Sequence, residues 1–153
     1  YTDTYTPPST CIGDSSAADV FFTFTPSYDV SVDINTCGTK YDTAVIVMEY
    51  DGSGVLSTDD AVCNADAHRQ GCDIASAVTM ELKADTTYII VIDGYESGPS
   101  DVSVGDFRLT VSSVEGDTYD SAITISSLPY TVEGTTVGFT DDNSGKITAV
   151  SYT

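Results

Sequence analysis

The chain has no tryptophan, a single histidine, and five lysines and arginines set against 24 aspartates and glutamates. Each shortage removes a class of function. Nucleophilic catalysis needs a base within reach of the nucleophile, and the one imidazole, His68, sits in a polar loop beside Arg69 and reads as a surface histidine. Paired carboxylates could do acid–base work, yet without tryptophan and with scattered tyrosines no aromatic-lined cleft is legible around them. Asp51-Gly52-Ser53-Gly54 is not a phosphate loop, because it has no lysine and precedes no helix. The expectation is therefore a protein that is not an enzyme. So few basic groups exclude nucleic acid and anionic membranes as partners, since the field repels phosphate. No apolar run approaches the roughly 20 residues of a membrane span, so no membrane insertion is expected. Asn-X-Ser/Thr sequons are missing, with Asn35-Thr36-Cys37 at best a rare variant, and the abundant serines and threonines leave O-linked glycan open. The chain opens at Tyr1 without a charged-apolar leader, as expected of a processed form or a fragment.

What is present is enough for a core. Hydrophobic residues make up 41% of 153 residues, which argues against disorder despite a net charge of −19 and fits one domain, or one domain with an appendage. The charge reads either as solubility of an extracellular protein or as cation binding. Four cysteines, Cys11, Cys37, Cys63 and Cys72, form an even set that allows three pairings. Cys63 and Cys72 flank a short polar loop and read as the local bridge, leaving Cys11 with Cys37. Zinc is the alternative, but no CxxC pair exists. Disulfides place the protein outside the reducing cytosol, extracellular or on the cell surface.

No segment carries a convincing helical apolar period, whereas period-two runs recur. Strands are expected at Val20–Thr25, Val30–Asn35, Thr43–Tyr50, Val55–Thr58, Val78–Lys83, Thr87–Ile92 and Phe107–Ser112. Thr43–Tyr50 and Thr87–Ile92 are apolar on both faces and read as central strands. Turns with glycine or proline separate the strands, as at Asp51–Gly54. Short strands at this spacing predict an all-β, antiparallel, jelly-roll-like sandwich of about eight strands. If each strand reverses direction once, segments 11–19, 37–43, 59–76 and 93–105 collect at one pole. That pole then holds all four cysteines and many carboxylates, among them Asp19, Asp42, Asp66 and Asp93.

After Val114-Glu115-Gly116 the text restarts. Ile123–Ser126 and Tyr130–Thr136 add a C-terminal strand pair, and Phe139-Thr140-Asp141 echoes Tyr1-Thr2-Asp3. The division is a sandwich module over 1–115 and a strand-pair segment over 116–153 that reads as the start of a next repeat. Its alternating apolar residues, Ile123, Ile125, Tyr130, Val132 and Val137, need a sheet to lie on. They either complete their own sandwich or pair with the exposed edge of a neighbouring unit.

Several phrases, taken in order, resemble the bacterial pre-peptidase C-terminal domain. They are Asp19-Val20-Phe21-Phe22-Thr23-Phe24-Thr25-Pro26, Thr36-Cys37-Gly38 with Tyr41-Asp42-Thr43, Cys63-Asn64, Lys83–Gly94 and Gly105-Asp106-Phe107-Arg108-Leu109-Thr110-Val111. The resemblance covers about residues 14–114 plus the hairpin. It implies a secreted or surface-attached jelly-roll-like sandwich, often following a peptidase or strung in tandem, and some relatives bind calcium and fibrous protein. The loop Cys63–Cys72 departs from the family in lacking the adjacent Asp-Asp that often follows Cys-Asn.

Calcium takes 6–8 oxygen ligands, and Asp42, Asn64, Asp66 and Asp93 are the expected ligands, each where a strand ends. The competing reading is that these side chains make turns and caps through hydrogen bonds to the backbone. The resulting expectation is a secreted, non-catalytic module. It builds an extracellular filament, tandem array or adhesive stalk by sharing strands with copies of itself or adjacent repeats, head to tail. The alternative is an accessory module of a secreted hydrolase that grips collagen-like protein or polysaccharide.

Overall fold

The computed structural model describes residues 5, 7, 11, 16–54, 56, 60–95, 103–114 and 122–132. Seven strands follow one another: β1 (Val20–Phe24), β2 (Val30–Asn35), β3 (Thr43–Glu49), β4 (Val62–Asn64), β5 (Ala77–Leu82), β6 (Tyr88–Gly94) and β7 (Thr110–Ser113). They form two antiparallel sheets, one of four strands in the order β1-β6-β3-β4 and one of three in the order β5-β2-β7. The protein is an all-β sandwich.

The alternation of side chains decides how the sheets face. Val45 and Val47 on β3 and Tyr88, Ile90 and Ile92 on β6 point between the sheets, where they meet Val32 and Ile34 of β2 and Val78 and Leu82 of β5. The intervening residues Ala44, Ile46, Met48, Ile89 and Val91 cover the outer face of the larger sheet and pack under Tyr5, Leu56 and Ala61. Both faces of β3 and β6 are thereby buried, as their unbroken apolar runs require.

Register collects the loops. Val20 lies opposite Ile92, Asn35 opposite Ala77 and Thr43 opposite Gly94, so the segments 16–19, 36–42 and 65–76 and the start of the chain after β6 meet at one pole. The other pole carries the turns after β1, β3 and β5, where Asp85 N–H donates to the Pro26 carbonyl at 2.8 Å.

Several boundaries differ from the sequence reading. The segment expected as a strand from Phe107 becomes one only at Thr110, because Phe107 and Leu109 are drawn against the core edge before pairing begins. β4 was not expected. Its three residues alternate too briefly to register as a period, and it is held by pairing with Val45–Val47. Of the expected strand Val55–Thr58, only Leu56 is described, outside any strand. Ile123–Ser126 and Tyr130–Val132 form no strand and are exposed throughout. The rest of the expected C-terminal strand, Val137, the Phe139-Thr140-Asp141 echo and the boundary at 115/116 lie outside the described residues.

Candidate functional site

The two long seams of the sandwich are built differently. On one side β4 and β5 face each other, and the Asn64 side chain bridges them: its Oδ1 accepts from Ala77 N–H at 3.1 Å, while its Nδ2 donates to the Asp66 carbonyl at 3.0 Å. On the other side the edges are β1 and β7, and this seam is open. Between them lies a groove of about 500 Å³ with Phe22, Phe24, Val30, Val32, Ile90, Leu109 and Val111 on its walls. The Phe22 ring on its wall meets the Phe107 ring edge to face, with centroids 6.1 Å apart. Pro26 and Tyr28 line it as well.

The sequence dictates these walls. β1 alternates strictly, so Phe22 and Phe24 face inward while Phe21 turns outward onto Tyr5. β7 has only four residues, and among the described residues it pairs with Val32–Asn35 on one side alone. With four strands facing three among the described residues, one row of the larger sheet's inner face has no described strand above it. Among the described residues no charged side chain lines the groove, although the chain carries 24 acidic residues. An apolar groove flanked by two strand edges offers main-chain hydrogen bonds and side-chain burial to an added strand.

The cysteine pole is a polar clamp. The disulfides join Cys11 to Cys63 and Cys37 to Cys72, which corrects the pairing expected from the sequence. Cys63 is not a loop residue: it stands on β4 opposite Ile46, on the outer face where Tyr5 also packs. Cys72 is buried at the pole, with its Cα 4.2 Å from that of Cys37. Arg69 caps this bridge. Its guanidinium donates to both Asp33 carboxylate oxygens at 2.7 and 2.8 Å, and its Nε lies 3.2 Å from Cys72 Sγ. Sequence spacing could not pair Arg69 with Asp33, which lies 36 positions away.

A second tie, also illegible in sequence, joins Thr36, Thr43 and Ser76, all fully buried. The Thr36 and Thr43 hydroxyls lie 2.6 Å apart, Ser76 N–H donates to Thr36 Oγ1 at 3.0 Å, and Ser76 Oγ–H donates to the Thr43 carbonyl. The ends of β2, β3 and β5 are fastened across the two sheets by this knot.

Asp33 supplies a pH signature. Burial pushes its carboxyl pKa up, but hydrogen bonds from Arg69 and Asn35, the Arg69 charge and a Thr79 hydroxyl outweigh burial and hold it below the usual carboxylate range. A depressed folded-state pKa contributes stability that is complete above the unfolded value and is lost as pH falls through the folded one. Asp33→Asn is expected to cost about 1–3 kcal/mol at pH 7. Thermal unfolding of wild type and variant at pH 7 and pH 3 checks this: the gap should narrow at pH 3, and a gap of constant size would contradict it.

The four expected calcium ligands are not brought together as one set. Asn64 is occupied by the backbone of β5 and by the Asp66 carbonyl. Asp66 is exposed. Asp42 precedes β3, and its carbonyl accepts from Tyr95 N–H at 3.0 Å. Asp93 is buried near the end of β6, and its carboxylate accepts from Gly94 N–H at 2.7 Å. Among the described residues no three His, Cys, Asp or Glu side chains gather where they could hold a metal ion. Asp19 and Asp93 instead bear on tyrosines. Burial, then the charges of Asp19 and Asp93, push the Tyr5 phenol above its ordinary pKa, and burial with Asp93 does the same to Tyr41.

Of the expected inter-unit residues, Ile123, Ile125, Tyr130 and Val132 are exposed at 52, 58, 41 and 65%. They do not lie on the chain's own sheets. Comparison of the chain with family models, with curated proteins and with solved structures finds no match.

Proposed function

We propose that this chain is a non-catalytic structural module of an extracellular filament, array or adhesive stalk, and that successive units are joined by adding a strand at the open seam. The observation that carries this reading is the uncharged apolar groove between β1 and β7. A solvated groove of that kind is a liability in a monomer and an asset in a chain of units. Three further features support it. The two disulfides fit an oxidising environment outside the cell. The opposite seam is already closed, so growth through strand addition is directed to one side of each unit. The acidic surface keeps units apart everywhere except at surfaces without charge.

Size and shape in solution test the proposal. Purified chain is expected to form filaments visible by negative-stain imaging and to keep them in mild denaturant, because an added strand is held by main-chain bonds along its length. A monodisperse monomer at every concentration overturns it. A monomer that also sediments with insoluble collagen or polysaccharide supports the accessory binding module in its place.

A further inference from the structure

We infer that the strand entering the groove is Ala122–Ser126 of a second copy of this chain, with Ile123 and Ile125 seated between β1 and β7. The inference rests on the strand-addition reading and names its donor. The groove presents three pairs of apolar residues, each pair two positions apart on its own segment: Phe22 and Phe24, Val30 and Val32, and Leu109 and Val111. Such residues stand on one face of an extended chain, about 6.7 Å apart. Ile123 and Ile125 have the same spacing and supply the fourth pair. Both are β-branched and suit a pleated, half-buried surface, and residues 122–126 contain no proline, so no N–H that an added strand would turn towards the edge of β7 is missing. Beyond them Ser127–Pro129 bends the chain, and Pro129 lacks that donor.

Charge selects the same segment. Residues 121–132 are the longest stretch of the sequence without a charged side chain. Two copies carrying −19 each repel, and this segment approaches an uncharged groove without adding to that repulsion. In the single chain Ile123 and Ile125 are exposed, and among the described residues no strand fills the groove. Exchange between copies buries both surfaces in one step. Donor and acceptor are different surfaces, so the contact is heterologous and propagates instead of closing into a dimer.

Two variants test the assignment at about 0.15 M salt, where the Debye length is about 8 Å. Ile123→Asp with Ile125→Asp removes the donor, and Val111→Asp blocks the acceptor; all three residues are exposed in the single chain, so thermal unfolding of each monomer should match that of unassembled wild type. Each variant alone is expected to remain monomeric by analytical ultracentrifugation. A mixture of the two is expected to give one-to-one heterodimers and nothing longer. If the double-aspartate variant polymerises like wild type, the donor assignment is overturned while strand addition stands. If wild type itself is a monomer, including one whose tail has folded back onto its own groove, both are overturned.

Discussion

Cys37→Ser/Cys72→Ser is expected to lower the stability of the chain by about 4 kcal/mol. The bridge spans 35 residues, and closing a loop of that length removes a large share of the unfolded chain's freedom. Domains are stable by about 5–15 kcal/mol in all, so the loss is a large fraction of the total. For a chain of this size it amounts to on the order of 10 °C in midpoint. The bridge does more than restrict the unfolded state. It lashes the β2–β3 loop to the β4–β5 loop, and the Arg69–Asp33 pair is built against its sulfurs. Its removal should therefore also weaken that pair, and the pH-dependent contribution of Asp33 should shrink in the variant. The Cys11–Cys63 bridge closes 52 residues that overlap the same loop, so removing both should cost less than the sum of the two alone. Thermal and urea unfolding of the oxidised wild type, each paired serine variant and the fully reduced chain measure these differences. A Cys37→Ser/Cys72→Ser variant within 1 kcal/mol of wild type would show that the pole is held without it.

How far the sequence anticipated this molecule depends on the distance over which each signal acts. β1, β2, β3, β5 and β6 were legible because alternation or an unbroken apolar run is written within each segment, and the meeting of loops at one pole follows from simple reversal of direction. The turn at Asp51–Gly54 was legible too, with Gly52 and Gly54 at φ values of 80° and 79°. The disulfide partners were not. Cys63 and Cys72 are close in sequence, but pairing with β3 turns Cys63 to the outer face, and only the register shows that. The same holds for Arg69 with Asp33, and for the Thr36, Thr43 and Ser76 hydroxyls, which converge from three strand ends. The alternating apolar residues Ile123, Ile125, Tyr130 and Val132 stand out in the sequence as needing a sheet, and the structure places them exposed and outside any strand. The groove could not be read, because its walls come from β1, β2, β6 and β7, and only the order of the strands in the two sheets brings them together.

Gly94→Ala is expected to destabilise the chain by about 3 kcal/mol or more, beyond what an added methyl costs in a compliant core. Gly94 ends β6 opposite Thr43, at the cysteine pole. A Cβ built there overlaps the Ser103 carbonyl oxygen, comes within 2.8 Å of the Ala17 methyl, and lies 2.9 Å from the Ser103 carbonyl carbon. Two of those three atoms are backbone, and both residues are buried, at 6 and 2% exposure. No rotamer change relieves the overlap: either the chain at Ser103 moves off β6 or the last pair of the β3–β6 ladder opens. Gly105→Ala is the matched control. Its nearest neighbour is the Tyr41 ring at 3.0 Å, a side chain that turns aside, so a cost below about 1 kcal/mol is expected. The contrast separates close backbone approach from the general penalty of replacing glycine. Equal midpoints for the two alanine variants would place the Ser103 backbone farther from β6 than the structure does.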